Sequence, residues 1–158
     1  MNKDKSYYMK KAFEEAKKAY EINEVPVGAI IVKDNEIIAK AFNKRENNQQ
    51  CTAHAELLAI QKASKKMNSW RLDGCELYVT LEPCLMCAGT IMQARIKKVY
   101  YGATDSKAGV IESITNVQDL DFCHKVEYEG GIEKEMCSKI IKEFFMKLRE
   151  KKKNEKDN

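Results

Sequence analysis

The residue types most able to do chemistry gather in two short runs, His54-Ala55-Glu56 and Pro83-Cys84-Leu85-Met86-Cys87. A catalytic zinc takes three protein ligands, typically imidazole nitrogens or thiolate sulfurs, and keeps its fourth position for water. Cys84 and Cys87 are spaced i, i+3, so on a helix both sulfurs face one side, and a helix N-terminus favours their thiolate forms. His54 is one of only two histidines in the chain, and it stands close to a carboxylate. Glu56 follows it by two residues, a spacing that sends two side chains to opposite sides of a regular helix. Both reach one ion only if the first turn is presented end-on. The reading is two helix N-termini aimed at one metal, with Glu56 free to carry a proton between an activated water and a substrate.

Two other readings stay open on these residues alone. A C-x-x-C pair can be a thioredoxin-type redox couple, although no thioredoxin-like segment precedes this one. A structural zinc knuckle needs a second ligand pair, for which Cys123 and His124 are the spare candidates. The joint pattern is more specific than either half: H-x-E followed by P-C-x-x-C is the arrangement used by zinc-dependent nucleobase deaminases.

Both runs must be placed by helices that follow directly on strands or loops. Ser6 is a candidate cap for a first helix, with Met9, Ala12, Phe13, Ala16 and Ala19 at helical spacing, ended by Glu24-Val25-Pro26. Val27 to Val32 is a β-branched apolar run, Asp34-Asn35 a hairpin signal, and Glu36 to Asn43 the return strand. A polar loop, Lys44 to Gln50, leads to Thr52, a candidate N-cap for a helix from Ala53 to about Met67. Glu76 to Leu81 reads as a buried strand, and Pro83 as the first turn of a helix running to about Ala94. Lys97 to Gly102 is a further strand, 110–125 a short helix or irregular turns, and Val126 to Tyr128 a last strand. After Gly130-Gly131, Met136, Ile140, Phe144 and Leu148 mark a helix that fades into Lys151-Lys152-Lys153. Strands alternating with helices in this order argue for one α/β layer sandwich.

With 158 residues, 44% of them hydrophobic, the chain has the size of one domain with a real core. No stretch approaches the roughly 18 consecutive apolar residues of a membrane span. The polar start, Met1 to Lys5, lacks a secretory pattern, and the expectation is a soluble, cytoplasmic protein. Six cysteines in such a reducing setting are buried small hydrophobes, metal ligands or nucleophiles rather than disulfide partners. Lys and Arg number 28 against 24 Asp and Glu, for a net charge of +4. Residues 142–158 hold seven against four, so +3 of that charge sits in the tail. A basic end on a near-neutral body suits a polyanionic partner such as nucleic acid, or else a solubilising terminus.

Thr52-Ala53-His54-Ala55-Glu56 and the run Leu77-Tyr-Val-Thr-Leu-Glu-Pro-Cys-Leu-Met-Cys-Ala-Gly89 resemble the bacterial tRNA-specific adenosine deaminases, within the cytidine/deoxycytidylate deaminase superfamily. Glu24-Val-Pro-Val-Gly-Ala29, Ser69-Trp-Arg-Leu72, Phe144-Phe145 and Arg149 carry the likeness further, over about Tyr8 to Lys153. The resemblance implies a three-layer α/β/α cytidine deaminase-like fold with a central mixed sheet of about five strands. It implies a single zinc-dependent deaminase domain over 1–153 and a polar tail over 154–158. By the same resemblance, His54, Cys84 and Cys87 hold one Zn2+ per subunit, and Glu56 shuttles protons. Asn43 and the backbone of Ala55 hydrogen-bond the target base, while Lys107, Phe145 and Arg149 meet RNA. The implied reaction is hydrolytic deamination of the wobble adenosine to inosine in the anticodon stem-loop of an arginine tRNA, by a homodimer without a membrane association. Two positions depart from the family pattern: Cys51 stands where proline is usual, and Ile111-Glu112 where small residues, often glycine, are usual. The altered 105–114 loop motivates a second reading, a deaminase of a free nucleobase or nucleoside such as guanine, cytosine or cytidine. A third, an idle zinc scaffold that binds RNA, leaves Glu56 without a use.

Overall fold

In the computed structural model, residues 3–157 are described; Met1 and Asn2 of the polar start and Asn158 of the expected tail lie outside the described residues. The first helix, α1 (Lys5–Glu21), is capped by Asp4, whose carboxylate accepts the Tyr7 N–H at 2.8 Å. Ser6, the expected cap, lies inside the helix, and its hydroxyl donates to Glu133. A carboxylate two residues earlier wins because it both accepts the free N–H and complements the helix dipole.

Strands β1 (Gly28–Lys33) and β2 (Glu36–Phe42) form the expected hairpin. Asp34 and Asn35 both take positive φ, 50° and 65°, the conformation that a two-residue turn of matching twist requires. The expected polar loop contains a short helix, α2 (Arg45–Asn48). Then come α3 (Ala55–Met67), β3 (Glu76–Leu81), α4 (Leu85–Gln93), β4 (Lys98–Ala103), β5 (Glu127–Glu129) and α5 (Lys134–Asp157). The ambiguous stretch 110–125 forms turns with one 3-10 segment, Val117–Asp119, whose cap is the Asn116 side chain. Helix α5 does not fade at its lysine run but continues to Asp157.

The sheet order is β2-β1-β3-β4-β5. β1 pairs antiparallel with β2 and β3, while β3, β4 and β5 are mutually parallel, so the sheet is the mixed five-stranded one expected. Alternating residues send side chains to opposite faces. Ile31, Leu77, Val79 and Val99 pack on one side with Ala55, Ala59 and Ile60 of α3 and Ile91 of α4. Ile30, Val32, Tyr78 and Tyr100 pack on the other with Tyr8, Met9 and Ala12 of α1 and Cys137 of α5. Three layers result. α1 sits so close to β1 that a Cβ on Gly28 would lie 2.0 Å from the Ala12 carbonyl oxygen. Only glycine permits that approach.

The parallel pair β3 and β4 sends both carboxyl ends to one edge, where crevices in such sheets form. β3 runs there into Glu82-Pro83-Cys84, β4 into the 105–113 loop, and β2 into Asn43. Among the described residues, no helix is long and apolar enough to cross a membrane.

Candidate active site

The two chemical runs meet because each begins a helix at that edge. His54, not Thr52, is the N-cap of α3, with extended φ −78° and ψ 151°. Cys84 is the N-cap of α4 in the same conformation, φ −82° and ψ 176°, and Pro83 precedes the cap rather than filling the first turn. An N-cap residue lies outside the helical spiral, so the i, i+2 separation of His54 and Glu56 does not force them apart. The two helices point their N-termini at one spot, as the end-on reading requires.

At that spot His54 Nδ1 lies 3.7 Å from Cys84 Sγ and 3.5 Å from Cys87 Sγ. All three atoms fall within 4.8 Å of one another. Tetrahedral geometry with zinc–sulfur bonds of about 2.3 Å and zinc–nitrogen bonds of about 2.05 Å requires a nitrogen–sulfur separation of about 3.6 Å. The donor set therefore fits a zinc-sized ion without rearrangement. Among the described residues this is the one cluster of its kind. His124, the spare candidate, has its Nε2 2.9 Å from the Ile96 carbonyl oxygen, and Cys123 is exposed.

Charge in the site follows from burial and proximity. Cys84 is held as a thiolate, its pKa lowered to about 4 by hydrogen bonds from the Cys87 thiol, His54 and the Cys87 backbone, against the opposing effect of burial. The thiol of its neighbour Cys87, fully buried, is pushed up by the hydrogen bond with Cys84 and by desolvation. His54 is pushed above its ordinary value by the Cys84 hydrogen bond, with burial opposing. Glu56, 4% exposed, has its pKa raised to about 7 by desolvation. A carboxyl poised near neutrality is the form that can both accept and return a proton.

A cleft of about 570 Å³ opens onto these groups. Every residue singled out from the sequence for the site lines it except Cys87, which lies beneath: His54, Ala55, Glu56, Cys84, Asn43, Lys107, Phe145 and Arg149. Asn43 is buried; its Nδ2 donates to the Val25 carbonyl and its Oδ1 accepts the Arg45 N–H at 3.1 Å. An amide side chain carries two donors and two lone pairs, so one of each is left for a ligand. Ala55 opens α3, so its N–H has no intrahelical partner. Phe144 turns to Tyr20, with ring centroids 6.2 Å apart, and leaves Phe145, 38% exposed, as the aromatic face of the cleft. The departure at Glu112 does not load the cleft with charge: its carboxylate accepts the Tyr101 hydroxyl at 2.9 Å, outside the lining.

Sequence reasoning missed Arg45, Asp105 and Lys142, which also line the cleft. Lys142 is three residues before Phe145 on α5 and shares its face, which α5 packing turns to the cleft. It also missed Glu24 and Glu82, two carboxylates that are 1% and 2% exposed. Their burial is a product of the fold, and no sequence signal marks it.

Comparison with known proteins came to the same place. A model of the MafB19-like deaminases matches residues 2–149. A protein of Bacillus subtilis (strain 168) named tRNA-specific adenosine deaminase is 48% identical over 152 residues, 96% of this chain and 94% of its own. One of the same name from Aquifex aeolicus (strain VF5) is 49% identical over 146 residues, 92% of this chain and 96% of its own. A structure solved in studies of A-to-I editing by tRNA:A34 deaminases at the wobble position of transfer RNA superposes with a TM-score of 0.83. It is 39% identical, over 86% of this chain and 99% of its own.

Proposed function

The chain belongs to the tRNA-specific adenosine deaminases, within the MafB19-like deaminases, and on that premise we propose that it hydrolyses the wobble adenosine of a tRNA anticodon, that of an arginine tRNA, to inosine. The observation that carries this reading is the His54, Cys84 and Cys87 triangle at metal-binding separations, beside a buried Glu56 and under a cleft walled by Lys107, Phe145 and Arg149.

One zinc ion per subunit would be held by His54 Nδ1 and the two sulfurs, and it supplies there a water whose pKa is lowered to about 7. Glu56 accepts a proton from the attacking water and protonates N1 of adenine as the C6–O bond forms. It then takes the proton of the new C6 hydroxyl as the carbonyl forms and hands it to the C6 amine, which leaves as ammonia, so that adenosine and water become inosine and ammonia. Asn43 and the Ala55 N–H hold the base edge in register for that transfer. The adenine must leave its stack to enter the cleft, which a loop permits at lower cost than a duplex does. Phe145 offers a face for a neighbouring base, and Lys107 and Arg149 neutralise phosphates.

The protein works in the cytoplasm, where its substrate is, and as a homodimer. A second, apolar cavity of about 520 Å³ beside α4 and β5 supports the pairing: Leu85, Leu120 and Phe122 line it while standing 68%, 50% and 47% exposed. An apolar rim of that kind is what a partner subunit covers.

Purified protein is incubated with an arginine anticodon stem-loop bearing adenosine at the wobble position, beside guanine, cytosine and cytidine. Nucleoside mass analysis detects inosine from the RNA and no ammonia from the small molecules. Ammonia from a free base with the RNA untouched overturns the reading.

A further inference from the structure

Beside the α5 residues Phe145 and Arg149, two parts of the cleft wall come from short segments outside the sheet and the long helices. On one side the 105–113 loop carries Asp105 and Lys107 to the opening. The other segment, from Asn43 into the four-residue α2, carries Arg45. Each wall closes around a buried carboxylate.

Glu82 receives five hydrogen bonds from the first. Its Oε2 accepts the N–H groups of Ile111, Glu112 and Ser113 at 2.9, 2.8 and 3.1 Å. Its Oε1 accepts the Asp105 N–H at 3.0 Å and the Ser113 hydroxyl at 2.5 Å. The loop wraps so tightly that a Cβ on Gly109 would lie 2.3 Å from the carboxyl carbon. Glu24 does the same for the second wall: its Oε1 accepts the Glu46 N–H at 3.1 Å, and its Oε2 accepts the Asn47 N–H and Nδ2, both at 2.9 Å. Val25, the next residue, accepts from Asn43, which in turn accepts the Arg45 N–H.

We propose that Glu24 and Glu82 are positioning residues that set the width of the cleft mouth, and thereby fit the enzyme to a nucleotide presented on an RNA loop. The inference rests on the tRNA reading above for the identity of the ligand, but not for the mechanical claim. Several donors converge on each carboxylate, and a neutral amide cannot replace it: a glutamine turns its NH2 toward backbone N–H groups and leaves part of them buried and unpaired. With a wall released, Lys107 or Arg45 no longer stands where the phosphates pass. The metal-binding triangle sits at the starts of α3 and α4, which the walls meet through the Val110 N–H to the Pro83 carbonyl at 3.1 Å and the Lys44 N–H to the Ala53 carbonyl at 3.0 Å, and neither bond uses the Glu82 or Glu24 carboxylate.

The test compares the zinc-loaded wild-type protein with Glu82→Gln, Glu24→Gln and the milder Ser113→Ala. Amide hydrogen exchange is expected to quicken at least tenfold over 105–113 in Glu82→Gln and over 44–48 in Glu24→Gln, each without the other. Exchange in 85–93 stays at the wild-type rate, and each variant keeps one zinc. With the anticodon stem-loop, KM rises at least tenfold and kcat stays within threefold; Ser113→Ala shifts KM in the same direction by two- to threefold. If wild type makes no inosine, the tRNA reading fails by itself, and the exchange pattern still decides the present inference. Unchanged exchange in the walls overturns it, as does loss of zinc and kcat with KM unmoved, which would make Glu82 a support of the metal site. Should Glu82→Gln not fold, Ser113→Ala and Glu24→Gln carry the same comparison.

Discussion

Replacing Glu56 by glutamine keeps the volume and burial of a side chain that is 4% exposed, and removes its ability to take a proton. A positioned acid or base contributes roughly 10²- to 10⁴-fold per assisted transfer. In the proposed mechanism Glu56 carries two relays, from the attacking water to N1 and from the new C6 hydroxyl to the departing amine, so two assisted transfers at the lower figure give about 10⁴ in kcat. At 1.36 kcal/mol per tenfold, that is about 5.4 kcal/mol of barrier. The fold should not suffer. Desolvation already pushes the Glu56 carboxyl to a pKa of about 7, so a neutral amide relieves the penalty of holding charge there. The assay is single-turnover inosine formation at saturating anticodon stem-loop, with zinc content and thermal midpoint measured on the same preparation. Glu56→Gln is expected to lose about four orders of magnitude while holding its zinc and its midpoint. A loss under tenfold refutes the proton-carrier role, and a loss that tracks departing zinc shows that the residue supports the metal instead.

Phe145→Ala removes a stacking face worth about 1–3 kcal/mol, and KM for the stem-loop should rise about tenfold in steady-state assays with kcat little changed. Arg149→Ala should lower the slope of log affinity against log salt by about one, read by fluorescence anisotropy across a salt series. Leu85→Asp plants a charge on the apolar rim and, on the proposed homodimer, should shift sedimentation velocity from a dimer for wild type to monomers; an unchanged dimer places the interface elsewhere. Burial opposes ionisation of Glu82, but hydrogen bonds from Glu112, Ser113, Asp105 and Ile111 outweigh it and hold the pKa below the ordinary 4.5. A depressed carboxylate contributes stability that is complete above its unfolded pKa and lost as pH falls through the folded one. The urea-midpoint gap between wild type and Glu82→Gln should therefore be constant from neutrality down to about pH 5 and shrink below that; a gap that widens on acidification contradicts the sign.

Layer order and most elements were legible because period and composition agree there. Ile30, Ile31 and Val32 are β-branched and bounded by turn residues, and Asp34-Asn35 can only be a tight turn. Helix starts were harder. Thr52 and Ser6 carry good capping side chains, yet His54 and Asp4 are the caps, and His54 makes no capping hydrogen bond at all. Its position is set by the demand that its ring face two sulfurs, which no local preference records. For the same reason, the convergence of His54, Cys84 and Cys87 could be read from residue type and spacing, while Arg45 and Lys142 could not. They reach the cleft through tertiary packing of α2 and α5. Glu24 and Glu82 were invisible as clamps, because their partners are backbone N–H groups 22 to 31 residues away that have no sequence signature. The lysine run at the C-terminus misled in the other direction: exposed lysines are good helix formers, and α5 runs through them.

The central claim is that one imidazole nitrogen and two thiolates hold a single ion with an open corner, and X-ray absorption at the zinc edge of the purified protein tests it most directly. The account predicts one zinc per chain with two sulfurs at about 2.3 Å and two nitrogen or oxygen neighbours at about 2.0–2.1 Å, one of them lost when His54 becomes alanine. A shell of four sulfurs, a single sulfur, or a spectrum indifferent to Cys87→Ala would contradict it.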